Sequence, residues 1–175
     1  WDAAINFYLS ATEIDPGFSL AYTKLAMSYL QQYWFYHHRG QEILQTSKKF
    51  IDKAFETDPE LPEAHLALGV YYYNGFLDYQ KAVEQLEIVL KKQPGNSEAW
   101  YYLGCVYRRA GDFGKSRSCL VKACELDPKS ARIVFNTGQN FDLMREYKEA
   151  LKYFNQTLAI NPDCTYPYRD IAILY

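Results

Sequence analysis

Few side chains in this sequence are placed where they could perform catalytic or metal chemistry. His37 and His38 are adjacent, and neighbouring residues on a helix point about 100° apart, so these two imidazoles cannot readily hold one ion. The sequence contains no GxSxG motif, no HExxH motif and no glycine-rich phosphate loop. We therefore expect no enzyme activity, no metal site and no cofactor.

The four cysteines offer neither redox nor zinc chemistry. Cys105, Cys119, Cys124 and Cys164 form no CxxC pair and do not have the tight spacing of a zinc site. A domain of this size can build its core without disulfide bonds. We expect the cysteines to be reduced and mostly buried as small apolar residues.

Composition and charge narrow the class of protein further. The 175 residues are 17% aromatic, include 17 tyrosines and carry a net charge of −2. Such a sequence is too apolar for a disordered tail and lacks the basic excess expected of a nucleic-acid binder. It has no apolar run long enough to cross a membrane and no signal peptide, so we expect a cytoplasmic protein that binds no membrane. Because it begins with Trp1, we expect it to be a segment of a longer protein.

A regular repeat of prolines marks where the helices that carry these side chains end. Pro59, Pro94, Pro128 and Pro162 are separated by 35, 34 and 34 residues, and each follows a stretch with a helical pattern. Pro16 closes a further copy. Because a proline soon after a helix prevents its continuation, each proline marks the same turn in successive units.

Apolar residues recur in phase with these prolines. Trp100, Leu103, Gly104 and Tyr107 fit the spacing W-x2-L-G-x2-Y, and the flanking units repeat it, one of them with an extra residue near Asn74-Gly75. The large residues form one stripe of a first helix, and the small residue lets a second helix approach closely. The pattern resembles the tetratricopeptide repeat family over essentially the whole sequence. The resemblance implies an all-α fold, a right-handed superhelical solenoid of antiparallel helix-turn-helix hairpins.

The repeat register predicts a single array with a half repeat at each end. Its parts are 1–16 (second helix only), 17–59 (an elongated hairpin), 60–94, 95–128, 129–162 and 163–175 (first helix only). Neither end has the polar capping helix that terminal repeats normally need. We therefore expect the protein to associate with itself through these uncapped ends.

One repeat departs from the pattern. Tyr29 and Ala54 are 25 residues apart, whereas the corresponding Tyr107 and Ala123 are 16 apart. The nine added residues predict that both helices are longer by about a turn, with a bend at Arg39-Gly40. The elongated hairpin resembles tetratricopeptide arrays of bacterial multidomain signalling proteins, in which the array follows an output domain.

The added segment carries an aromatic group that would project beyond the neighbouring, shorter unit. Its members are Tyr33, Trp34, Phe35 and Tyr36. Two interpretations remain open: these rings fold back as extra core, or they form a secondary docking surface for another domain or subunit.

The resemblance also implies a concave groove lined by the first helices. The inward-facing residues suited to recognition are Tyr73, Tyr101, Tyr102, Arg108, Arg109, Arg132, Phe135, Asn136 and Gln139. Arginines offer planar donors to carboxylates and aromatic rings offer rigid contact area, so this mixture suits an extended peptide with acidic and apolar side chains. Alternatively, Tyr101 and Tyr102 pack between helices and the arginines lie in water beside Glu98 and Asp142.

The expected function is that of a non-catalytic protein–protein interaction scaffold, with a peptide or partner domain bound in the groove. The alternatives are a structural spacer or dimerisation segment, and the regulatory part of a signalling enzyme whose output domain lies outside this sequence. Recognition of an EEVD-type C-terminus is not expected, because among the paired groove positions only Arg132 and Asn136 resemble the carboxylate clamp of chaperone-binding arrays. His65 occupies the position of Trp100 in the next repeat, which indicates a packing role.

Overall fold

The computed structural model of the protein describes residues 2–35 and 40–174. These ranges contain α-helices, one turn of π-helix and no strand, which confirms the prediction of an all-α helical repeat fold. The protein forms two compact units, Trp1–Pro94 and Gly95–Tyr175.

The first unit contains five α-helices among its described residues. They are α1 (Asp2–Ile14), α2 (Ser19–Phe35), α3 (Gln41–Thr57), α4 (Pro62–Tyr71) and α5 (Tyr79–Lys92). Helix α2 packs mainly on α3, and α4 packs on α5. Ala26, Ile51 and Ala67 form a buried cluster that joins α2, α3 and α4, and aromatic side chains such as Phe50 pack around it.

The second unit also contains five α-helices among its described residues. They are α6 (Ser97–Arg109), α7 (Phe113–Leu126), α8 (Ala131–Leu143), α9 (Tyr147–Ile160) and α10 (Tyr166–Leu174). The hairpins are α6 with α7 and α8 with α9. Buried Phe141, Ala150 and Phe154 form a core cluster between α8 and α9, and Ile171 of α10 packs against it.

Side-chain caps start several of the helices. Asp78, Asn96 and Asp112 each accept a hydrogen bond from the backbone N–H three residues later, at 2.9–3.1 Å. These bonds satisfy amide donors that the first turn of a helix leaves without a partner. The caps therefore fix where α5, α6 and α7 begin and which residues face the neighbouring helix.

An irregular turn between α4 and α5 packs against the long hairpin of the first unit. Helices α2 and α3 contain 17 residues each, against 13 in α6 and 14 in α7. The extra residue near Asn74-Gly75 lies in a turn of π-helix, Tyr72–Phe76, which is how one inserted residue is accommodated at the end of a helix. Within this turn Gly75 lies against Leu44 of α3, and Tyr73 stacks on Trp34 of α2 with 6.1 Å between ring centres.

Candidate partner-binding surface

The predicted groove residues fall in both units. Tyr73 lies in the π-helical turn of the first unit, where it is buried and stacked on Trp34. The others lie in the second unit, where α6 carries Tyr101, Tyr102, Arg108 and Arg109, and α8 carries Arg132, Phe135, Asn136 and Gln139. The second unit therefore holds the arginines and amides on two neighbouring first helices.

Arg132 lies over a tyrosine base, the rings of Tyr101 and Tyr102. Its Cζ atom is 4.5 Å from the ring centre of Tyr101 and 5.6 Å from that of Tyr102, within the range of cation–π attraction. Nη1 donates to the Tyr102 hydroxyl at 3.4 Å, and Nη2 donates to Oε1 of Glu98 at 3.1 Å. Burial disfavours the charged guanidinium, but Tyr102, Tyr101 and Glu98 outweigh it and raise the pKa of Arg132. The guanidinium therefore has three partners on α6 and keeps its charge at neutral pH.

The two tyrosines beneath Arg132 are packed side chains. Tyr101 and Tyr102 are 8% and 6% exposed, and their rings meet edge to face with centres 5.0 Å apart. Burial raises the pKa of both hydroxyls, so both remain protonated at neutral pH. Little of their own surface is available for contact, and their role in this arrangement is to orient Arg132.

Arg108 and Asn136 form a second connection between α6 and α8. Arg108 donates from Nη1 to the backbone oxygen of Asn136 at 3.0 Å and from Nη2 to its Oδ1 at 2.8 Å. The amide nitrogen of Asn136 donates to the backbone oxygen of Arg132 at 2.9 Å. The structure thus brings Arg108, Asn136 and Arg132 together, while Arg109 is exposed and Gln139 is half-buried.

Phe135 and Tyr166 repeat the geometry of Tyr101 and Arg132 one repeat further along. Phe135 is half-buried, and its ring centre lies 5.7 Å from that of Phe154 and 6.0 Å from that of exposed Tyr166. In both cases the ring belongs to the first helix of one repeat. The residue that lies over it comes from the first turn of the first helix of the following repeat. Sequence reasoning did not select Tyr166, although it occupies the same repeat position as Arg132 and could have been found from that register.

The secondary docking residues divide between core and surface. Tyr33 and Trp34 are half-buried, whereas Phe35 is 60% exposed at the end of α2. Tyr36, together with His37 and His38, lies outside the described residues. Exposed Phe76 and Leu77 add apolar surface at the π-helical turn. Trp34 therefore contributes to packing on Tyr73, and Phe35 is the most exposed described member of this group.

His65 and three of the cysteines are packed within the helices. His65 places Nδ1 2.8 Å from Oε1 of Gln85 and meets the ring of Phe55 edge to face at 5.0 Å. Cys105, Cys119 and Cys124 are free and buried, and burial raises the pKa of their thiols. Within residues 2–35 and 40–174, no group of three or more potential ligands could hold a metal ion. The helices in these ranges are each too short or too polar to cross a membrane.

Comparison with known proteins identifies the repeat. A family model described as tetratricopeptide repeat matches residues 97–130, which span α6, α7 and the turn after them. The crystal structure of TTC0263, a TPR protein of Thermus thermophilus, superposes with a TM-score of 0.81 at 17% identity, over 99% of this protein and 89% of that one. Residues 97–130 therefore match a tetratricopeptide repeat, and the fold is that of solved tetratricopeptide repeat proteins. Proteins of this family generally mediate protein–protein interactions and are typically non-catalytic scaffolds.

Three further proteins resemble it in structure or in sequence. YrrB, described as a TPR protein with an unusual peptide-binding site, has a TM-score of 0.65 at 20% identity over 98% of this protein and 83% of that one. Anaphase-promoting complex subunit 3 of Schizosaccharomyces pombe is 30% identical over 159 residues, which are 87% of this sequence and 22% of that protein. Tetratricopeptide repeat protein 6 of Homo sapiens is 24% identical over 100% of this sequence and 32% of its own length. The 175 residues thus span about a third or less of these two relatives.

Proposed function

We propose that this tetratricopeptide protein is a non-catalytic module that binds an extended peptide, or an extended segment of a partner domain, along α6 and α8. The observation that carries the proposal is the Arg132 guanidinium, which lies over the rings of Tyr101 and Tyr102. A charged fork that is already oriented loses little side-chain entropy when it binds a planar carboxylate.

The partner that fits this surface combines acidic and apolar side chains. Arg108, Arg109 and Arg132 provide positive charge, and exposed Leu143 and Tyr166 provide apolar contact area. Peptide binding by YrrB supports the proposal by analogy of fold. The protein would then act as a scaffold that holds an acidic, partly apolar segment without changing it chemically.

A binding assay with a defined peptide tests the proposal. The probe is a fluorescein-labelled peptide of alternating Glu and Leu with both ends blocked, followed by fluorescence anisotropy. We expect R108Q/R109Q/R132Q to abolish binding. The control K115Q/K122Q/K129Q removes the same charge from α7 and the turn after it, and should retain binding. Both variants are checked for folding by circular dichroism, and unchanged affinity in the first variant would refute this site.

Self-association is a second candidate function, favoured by apolar side chains at the first and last described helices. Phe7 and Ile14 of α1 and Ile173 of α10 are exposed. Exposed apolar residues on helix faces are common at sites where proteins associate. Sedimentation velocity should show association that increases with concentration and weakens in F7S/I14S/I173S. A monomer over the whole concentration range would exclude this function.

A further inference from the structure

Arg132 already has a carboxylate partner within the same protein. Oε1 of Glu98 accepts a hydrogen bond from Nη2 of Arg132 at 3.1 Å. The Glu98 and Arg132 side chains are 35% and 41% exposed, so water and a ligand can reach the pair. Glu98 lies in the first turn of α6, one turn before Tyr101 and Tyr102, on which Arg132 is stacked.

The pair is easy to separate without moving the guanidinium. Exposed ion pairs are weak, because water solvates both charges and holding two long side chains together costs entropy. The contacts of Arg132 with the Tyr101 and Tyr102 rings do not involve Glu98. A guanidinium has five N–H donors, and its hydrogen bonds to the residues that the structure describes engage one on Nη1 and one on Nη2.

We propose that Glu98 is an internal competitor for the carboxylate of the bound partner, and that it thereby sets the selectivity of this surface. This inference rests on the proposed function. A partner carboxylate, from an acidic side chain or from the C-terminus of a polypeptide, replaces Glu98 on Arg132 while the guanidinium stays on its tyrosine base. Ligands whose only attraction is charge are penalised by this exchange, and ligands that add apolar contacts are selected.

Removing the Glu98 charge should strengthen binding of carboxylates. Because an exposed ion pair contributes little, we expect E98Q to bind the blocked Glu/Leu peptide about two- to five-fold more tightly than the wild type. At the same time E98Q should melt at a slightly lower temperature, because an acidic residue in the first turn favours a helix. Higher affinity combined with lower stability is a result that a purely structural role of Glu98 would not produce.

A matched variant separates local competition from a change in net charge. E125Q removes the same charge from the exposed Lys122–Glu125 pair on α7. It should leave the affinity unchanged. In the R132Q background, E98Q should also lose its effect, because the group over which the two carboxylates compete is absent.

Two peptide arms identify the source of the carboxylate. One is the blocked Glu/Leu peptide, and the other is a Gln/Leu peptide with a free C-terminal carboxylate. If E98Q binds the Glu/Leu peptide more tightly than the wild type does, the competing carboxylate belongs to an acidic side chain. If it binds the Gln/Leu peptide more tightly, the carboxylate is that of a C-terminus. If R132Q weakens binding but E98Q does not strengthen it in either arm, the competition is refuted and the proposed function stands. If neither the wild type nor E98Q binds either peptide, both proposals fail.

Discussion

Gly104 controls how closely α6 approaches α7. A Cβ atom at this position would lie 2.6 Å from Cγ and 3.2 Å from the backbone nitrogen of Leu120, too close for the side chain alone to give way. We expect G104A to lower the free energy of unfolding by about 1–3 kcal/mol in urea denaturation. G114A, on exposed helix surface of α7, should instead raise it by up to about 1 kcal/mol because alanine favours helix. Equal effects of the two variants would contradict this account.

Asp142 should make stability depend on pH. Burial raises the pKa of this half-buried carboxyl, and the negative charge of Asp170 raises it further. A carboxyl whose pKa is higher in the folded state disfavours folding when ionised, and this penalty disappears as the pH falls through the folded pKa. D142N should therefore stabilise the protein at neutral pH by roughly 0.5 kcal/mol or less and reduce the gain in stability on acidification.

The measurement is urea denaturation at several pH values between neutral and about 4, since the unperturbed pKa lies near 3.9. The control is D163N, at an exposed turn position before α10. It should change neither the stability at neutral pH nor the change in stability on acidification appreciably. Loss of stability in D142N at neutral pH would show that the ionised carboxylate is favourable, contrary to the argument.

Single residues also show where prediction from sequence ends. The small residue Gly104 could be assigned to a helix contact because packing between repeats is periodic. The stacking of Arg132 on Tyr101 could not, because it depends on the distance between α6 and α8 and on side-chain torsions that no spacing specifies. Both tyrosines were correctly placed on α6, and their burial was one of the two interpretations that the sequence left open.

At the scale of elements, a buried polar pair connects α7 to α8. The Ser116 hydroxyl donates to Oδ1 of Asn140 at 2.7 Å, and both residues are fully buried. S116A would leave this oxygen without its donor, so we expect a loss of about 1–3 kcal/mol in the free energy of unfolding. S118A, which removes an exposed hydroxyl from the same helix, should change it by no more than about 0.5 kcal/mol.

A double variant tests the reason for this loss. Replacing both partners by apolar residues removes the unsatisfied group, so S116A/N140V should recover part of the stability lost in S116A. Equal stability of S116A and S118A would show that the hydroxyl of Ser116 is not required. Failure of the double variant to recover would indicate that Asn140 has a further role, through its contacts with Phe113 and Met144.

The elements of the first unit were partly predictable. One extra residue near Asn74-Gly75 is visible in the sequence as a shift in the repeat. Its accommodation in a π-helical turn depends on tertiary contacts, since Gly75 fits against Leu44 and Tyr73 against Trp34 only after the long hairpin has formed. The turn ends at Leu77 with a positive φ of 54°, a conformation that residues other than glycine rarely adopt. The repeat pattern does not reveal it.

At the scale of the whole molecule, the repeat provides a matched pair of core positions. Leu86 and Leu120 are 34 residues apart, fully buried, and in contact with Gly69 and Gly104 respectively, one in each compact unit. Repeat proteins are stabilised by the repeats themselves and by contacts between neighbours, so damage to one repeat weakens mainly the structure around it. Replacing either leucine by alanine should lower the local free energy of unfolding by about 2–5 kcal/mol.

Hydrogen exchange followed by mass spectrometry can locate that loss. We expect L86A to accelerate exchange mainly in peptides from residues 2–94, and L120A mainly in peptides from 95–174, because each leucine packs against helices of its own unit. The two variants serve as controls for each other, since they make the same chemical change at the same repeat position. Equal acceleration throughout the protein in both variants would mean that the two units unfold as one cooperative structure, and local damage would then not be confined by the repeat architecture.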